Sequence, residues 1–318
     1  MATLRPMSLI VTGTIGIDSV YTPSGQAEKV LGGSCIYFSA AASYYGKVRI
    51  VGAVGGDFPK EFWKVFDKFP GIDTRGLEVR PASKTFAWGG KYHENMNSRE
   101  TLFTELGVLL EAAPAMPDAY RDSSTVFLAN SHPGVQMGML SQLPKRKLVV
   151  ADTMDLWINN AKVELENLLR SIDGVVLNYD EAEMLTGKKN PVTAARHMLK
   201  DYGGKKGLKF VVVKKGEHGS LIIHKSGIAA LPAYPAEKVV DPTGAGDTFA
   251  GGMMGYLAGA VKRGGAKAIT LNTLLKAASH GTVAASFNIE SFSLDRLMKL
   301  KKAELMKRHK EFAAMTRI

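Results

Sequence analysis

The chain has 318 residues, 45% hydrophobic and 22% charged, the balance of an ordinary globular α/β protein rather than a disordered or fibrous one. No apolar run approaches 18 residues, which excludes a membrane-spanning helix, and the single Cys35 excludes an internal disulfide and suits a reducing cytoplasm. The net charge is +11; without a nucleic-acid-binding motif beside it, that excess is expected to attract small anionic substrates rather than a nucleic acid.

Residues 1–7 carry no leader-like apolar segment, so no secretion signal is expected. The apolar run 8–16 predicts a buried strand ending at a turn. Asp18 lies just beyond it, where the ligands of open α/β sheets collect. Residues 19–31 are polar and turn-rich and leave the core. Gly32 and Gly33 permit close backbone approach to a ligand, and Ser34 is expected to N-cap an Ala-rich helix ending at Gly46. A strand over 48–55 and a helix near 59–69 follow. Residues 84–106 alternate aromatic and polar side chains as two strands with a turn near 95–98, and with 17–31 they predict a small separate sheet. Beyond that, strand 125–129 ends at Asn130, strand 148–151 at Asp152, strand 174–177 at Asn178 and strand 210–214 at Lys214. Helices are expected after Pro133, near 158–170, through Glu183 and near 191–202. Strand 220–224 and helices near 247–259, 270–287 and 293–312 complete the chain. Repeated βα units predict one α/β domain over 1–318, a mainly parallel central sheet with helices on both faces.

The chemistry concentrates at strand ends. Gly244, Ala245 and Gly246 form a small-residue turn opening a helix, whose unpaired N–H groups and dipole make an anion site. On spacing alone Asp247 is either a first-turn capping acid or a catalytic carboxylate. Asn178 and Glu181 share one helical face, as oxygen ligands near a hard cation or as an ordinary first turn. Lys214 opens a tight turn through Gly216 and Gly219, and either reaches a phosphate or points to solvent. Lys299, Lys301, Lys302, Lys307, Arg308 and Lys310 read as the solvated face of a C-terminal helix. A Walker A string, the protein-kinase motifs, a zinc cluster and a serine-hydrolase elbow are all absent.

The whole string 241–252, DPTGAGDTFAGG, closely resembles the C-terminal signature of the PfkB, or ribokinase-like, carbohydrate kinases. Gly32-Gly33-Ser34 resembles that family's N-terminal glycine pair, with Tyr37 where the family often has Asn; the likeness runs from Ser8 to Ser286. The resemblance implies a ribokinase-like fold whose small sheet, from about 17–31 and 84–106, forms a lid and pairs lids across a homodimer. It implies transfer of the γ-phosphate of ATP to a sugar hydroxyl, with Asp247 as base and the 244–246 turn as anion hole. Asp18, Gly32, Gly33, Ser34, Asn130 and Asp152 would then bind the acceptor. Asn178, Lys214, Gly216, Gly219 and His280 would bind the nucleotide. Glu181 would serve Mg2+ through water, and Asp241 and Thr243 a monovalent cation such as K+. Two alternatives stand: a nucleoside kinase, with Tyr37, Trp88 or Phe103 stacking on a base, and a catalytically silent binding protein on the same fold.

Overall fold

The computed structural model describes residues 9–316. Residues 1–8, which carry the leader expectation and the first residue of the first predicted strand, lie outside the described residues, as do 317–318. The chain opens with β1 (Leu9–Thr12), β2 (Gly16–Thr22), β3 (Gly25–Gly32), α1 (Ser34–Ser43), β4 (Val48–Gly55), α2 (Lys60–Phe66) and β5 (Ile72–Arg80). It continues through β6 (Phe86–Tyr92), β7 (Arg99–Glu105), β8 (Thr125–Leu128), α3 (Pro133–Ser141), β9 (Leu148–Ala151), α4 (Asp155–Asn160) and α5 (Lys162–Leu169). Then come β10 (Gly174–Asn178), α6 (Tyr179–Thr186), α7 (Pro191–Asp201), β11 (Phe210–Lys214), β12 (Ser220–His224) and β13 (Gly227–Leu231). Four helices close the chain: α8 (Ala245–Gly264), α9 (Leu271–Asn288), α10 (Asp295–Lys299) and α11 (Lys302–Met315).

Nine strands form the large sheet in the order β13-β12-β11-β10-β9-β8-β1-β4-β5. The seven from β11 to β5 run parallel; β12 and β13 turn back antiparallel at one edge. β1, β8 and β9 are buried along their full length, as continuous Val/Ile/Leu runs require when helices cover both faces. One core lies under α1, α8 and α9, the other under α3, α5, α6 and α7. Strand order reverses between β1 and β8: one branch leads to β4 and β5, the other to β9 and beyond. A crevice opens at such a switch point, outside the carboxyl ends of the strands. The second sheet has the order β3-β2-β6-β7, with β2 and β6 parallel. No described helix is long and apolar enough to cross a membrane.

Several boundaries differ from expectation. The first predicted strand is two, because the chain leaves the large sheet after Thr12, stays buried through Thr14 and Ile15, and joins the second sheet at Gly16. The helix expected near 158–170 breaks at Ala161, and that near 293–312 at Leu300 and Lys301. β5 and β13 were not anticipated; both are edge strands, β5 of mixed polarity and β13 a short run of small and apolar residues that is only partly buried. Ser34 does not cap α1: the N-cap is Gly33, and Ser34 is the first helical residue.

Candidate active site

β1 ends at Thr12, and the chain turns through Gly13 and Thr14 beside the N-terminus of α1. Ser34 N–H donates to Thr14 Oγ1 (3.0 Å), Thr14 N–H donates to Ser34 Oγ (3.2 Å), and the two hydroxyls lie 3.0 Å apart. Ser34 is thus occupied in knotting strand end to helix start. Gly33 has φ 96°, and a β-carbon there would lie 2.5 Å from the Thr14 carbonyl oxygen, so glycine is required. A β-carbon on Gly32 would lie 1.9 Å from Asp18 Oδ2. The glycine pair therefore lets the Asp18 carboxylate rest on the backbone, where Gly33 N–H donates to it. Asp18 is buried and its Oδ1 has no partner. Burial pushes its pKa up to about 7 against the Gly33 hydrogen bond, and the Asp241 and Asp247 charges push the same way.

The second half of the site lies more than 200 residues later. Asp241 braces the turn: its Oδ1 accepts Thr243 N–H (2.8 Å) and its Oδ2 accepts Ser293 N–H (3.4 Å). Thr243 Oγ1 donates to the Tyr92 hydroxyl (3.3 Å), and its carbonyl accepts Asn288 Nδ2–H (2.7 Å). Gly244, at φ 72°, is the N-cap of α8, and a β-carbon on it would lie 2.3 Å from Tyr37 Cγ. Asp247 sits in the first turn, where the N–H groups have no intrahelical acceptor. Burial pushes its pKa up to about 6, opposed by the Lys214 ammonium, its own N–H and the Arg99 guanidinium.

Facing α8 are the ends of β9, β10 and β11. Asp152 is buried with Oδ1 unpartnered; burial and the Asp247 charge hold its pKa well above the usual carboxylate range. The Lys214 ammonium crosses to α8, so that a β-carbon on Gly246 would lie 2.5 Å from its Nζ. Asn178 and Glu181 form the capping box of α6: Glu181 Oε2 accepts Asn178 N–H (2.7 Å), and Asn178 Oδ1 accepts Glu181 N–H (2.8 Å). Both residues therefore cap α6, and Glu181 Oε1 is left uncommitted. Among the described residues no group of three or more His, Cys, Asp or Glu is placed to cage a metal. A hard cation here would need phosphate and water oxygens as well. Gly216 and Gly219, both at positive φ, turn β11 into β12, and Asn97 Nδ2 of the small sheet donates to Glu217 Oε1 of that turn (2.9 Å).

Other expected residues have different work. Asn130 Oδ1 accepts Trp157 Nε1–H (2.9 Å) and its Nδ2 meets Met154 Sδ (2.9 Å), so it positions Trp157. His280 is enclosed rather than open to a nucleotide. Its ring stacks on His309 (3.8 Å between centres) and Tyr256 (4.7 Å), and its Nδ1 pairs with the Tyr45 hydroxyl (3.1 Å). Burial and His309 lower its pKa to about 3. Tyr37 is fully buried against Gly244 and cannot stack on a base; its hydroxyl has no partner and is close enough to Asp18, Asp241 and Asp247 to feel all three charges. Trp88 lies on Gly90 beneath the Arg99 guanidinium (5.7 Å), and Phe103 lies on Gly89, partly exposed. Sequence reasoning passed over Thr14, Tyr92 and Arg99. The alternation in 88–92 puts Trp88, Gly90 and Tyr92 on one face, which was the available signal for Tyr92; Arg99 joins that face only through its pairing with Tyr92 across β6 and β7.

Residues 136–298 match the pfkB family carbohydrate kinase profile. The chain is 32% identical to the cytidine kinase of Thermococcus kodakarensis over 262 residues, 80% of this chain and 90% of that one. Its fold superposes on ribokinase from Giardia lamblia with TM-score 0.79 at 19% identity, covering 96% and 99% of the two chains. It also superposes on aminoimidazole riboside kinase from Salmonella enterica, solved with aminoimidazole riboside and an ATP analogue (TM-score 0.73, 17% identity, 95% and 99% covered). An acid at the mouth of a glycine turn, a glycine pair holding a second acid and a small sheet above them fit the same assignment: the chain belongs to the PfkB family of carbohydrate kinases and is a phosphotransferase with an alcohol group as acceptor.

Proposed function

We propose that the chain transfers the γ-phosphoryl group of ATP to a hydroxyl of a nucleoside, with Asp247 as base. The observation that carries this reading is the pair of carboxylates flanking the Gly244–Gly246 turn: Asp247 in the first turn of α8, and Asp18 with a buried, unpartnered oxygen. A nucleoside is placed ahead of a free sugar, reversing the order expected from sequence, because of the extended likeness to a cytidine kinase.

The acceptor hydroxyl gives its proton to Asp247 as its oxygen bonds to the γ-phosphorus and the bond to the ADP oxygen breaks. The N–H groups of the turn and the α8 dipole hold the transferring charge. Asp18 and Asp152 accept hydrogen bonds from the acceptor's other hydroxyls. Gly32 and Gly33 give it room, and Ser34 and Asn130 shape the walls from behind. Lys214, Gly216, Gly219 and Asn178 border the nucleotide. Mg2+, when bound, neutralises phosphate charge, and Glu181 Oε1 is the carboxylate oxygen open to it through water. A K+ ion would share Asp241 with the Thr243 and Ser293 N–H groups. The small sheet acts as a lid, and its outer strand β7, with Leu102 and Phe103 exposed, is the edge at which a second copy pairs. The lone buried Cys35 suits the cytoplasm.

A panel of nucleosides and sugars assayed for ADP release with magnesium tests the acceptor; at least one nucleoside is expected to stimulate release above every sugar. Asp247→Asn is expected to lower kcat about 10³-fold while ATP binding changes little. Wild-type turnover in that variant would remove Asp247 from the role of base.

A further inference from the structure

We propose that Lys214 and Arg99 form a two-cation clamp on the transferring phosphoryl group, Lys214 from the large sheet and Arg99 from the small one. The proposal rests on the kinase reading and adds to it a lid-borne residue that touches the reacting phosphate.

Lys214 ends β11, and its Nζ lies over Gly246, at the start of α8. That is the positive end of a 20-residue helix, where an ammonium group is electrostatically misplaced. An ammonium and the first N–H groups of a helix are all donors, and none can satisfy another. An anion between them satisfies both. The carboxylates of Asp247, Asp152 and Glu181 all feel the Lys214 charge, yet among the described residues none lies within ion-pair distance of it. The ammonium is therefore held near the anion site by three acids without being consumed by any.

Arg99 approaches from the other side. It is paired with Tyr92 across β6 and β7, so both residues share one face of the small sheet. Tyr92 on that face reaches Thr243, two residues before the start of α8. The Arg99 guanidinium is poised over Trp88, also on that face, and its charge is felt by Asp247 and Glu181. Among the described residues it has no hydrogen bond or ion pair of its own. A guanidinium held only by an aromatic face has all its N–H groups free for phosphate oxygens, which it can meet two at a time. Arg99 is brought into place only when the small sheet is seated, through Tyr92 on Thr243 and Asn97 on Glu217. Closure of that sheet and charge stabilisation of the phosphate thus become one event.

The test is a comparison of ADP with a non-hydrolysable ATP analogue, each with magnesium, titrated calorimetrically into wild type, Lys214→Met, Arg99→Met and the double variant. Wild type is expected to prefer the triphosphate. Each single substitution should cut that preference about tenfold and leave ADP affinity within about twofold; the double variant should bind the two alike. Turnover should fall about 10²-fold in each single variant, with partial recovery in Arg99→Lys. Thermal melts check folding, and Arg99, being exposed, is safe for the fold if Lys214→Met is not. An unchanged triphosphate-to-diphosphate ratio in Arg99→Met and Lys214→Met would overturn the clamp while leaving the kinase intact. A normal ratio pattern with no transfer to any acceptor would support the clamp and remove the acceptor reading instead.

Discussion

Asp18 shows what a buried carboxylate costs and what it is kept for. Its oxygens rest on a glycine backbone, one of them unpartnered, and its pKa sits at about 7 instead of the usual 3.8. A folded-state pKa raised above the unfolded one means the folded protein holds the proton more tightly. The stability this gives is present below about 3.8 and lost as pH rises through 7. Asparagine, a neutral near-isostere, escapes that loss. Asp18→Asn is therefore expected to melt higher than wild type, with the gap widening between pH 5 and pH 8, and to bind acceptor at least tenfold more weakly. A gap independent of pH would mean that Asp18 is not the ionising group. At this scale Asp247, Asp18 and Lys214 could be singled out from sequence because each sits at a strand end or helix start that local pattern reveals. It misplaced Ser34 and His280 because their partners, Thr14, Tyr45 and His309, come from other elements, and no local periodicity announces them.

The elements that carry the site are α1, α8 and α9, and glycine sets how closely they pack. A β-carbon on Gly251 would lie 2.2 Å from the Phe38 carbonyl oxygen of α1, and one on Gly252 2.8 Å from the His280 carbonyl oxygen of α9. The contact atoms are backbone, so a whole helix must shift to accept a methyl group. Gly251→Ala is expected to cost about 1–3 kcal/mol in urea unfolding and to disturb the 244–246 turn at the head of the same helix. Gly138 in α3 has nothing within 4 Å of the same position. There the alanine should be neutral or stabilising by about 0.5–1 kcal/mol, since helical glycine is disfavoured and no clash offsets the gain. Equal effects at the two sites would show that helix spacing is not what these glycines provide. The long helices were legible from their 3.6-residue periodicity, whereas β5 was not, because an edge strand need not be apolar on either face, and β13 was not, because its five small and apolar residues are too short a run to mark a strand.

Over the whole molecule, the two halves of the site meet because β1 lies at the reversal of strand order while α8 packs on α1. Repeated βα units made the parallel sheet foreseeable. The alternation in 84–106 made the small sheet foreseeable, but not its order, because the parallel pairing of β2 with β6 is a long-range choice. That sheet is tied to the rest of the molecule by bonds that include Thr22 Oγ1 to the Val240 carbonyl (2.9 Å), Ser24 Oγ to the Val239 carbonyl (3.3 Å), Ser293 Oγ to the Leu31 carbonyl (2.7 Å), Thr243 to Tyr92, and Asn97 to Glu217. If the small sheet is the lid proposed above, it opens for substrate and its closure keeps water from the phosphate. Shortening the hairpin at 93–98 removes the Asn97 tether while leaving Tyr92 and Arg99 in their strands. The shortened protein is expected to keep its fold and its nucleotide binding, but to release about tenfold more ADP without acceptor, relative to transfer, than wild type. Parallel measurement of ADP and of phosphorylated acceptor gives that ratio directly. A ratio equal to wild type would mean that the hairpin tip takes no part in excluding water, and that the small sheet closes by its inner strands alone.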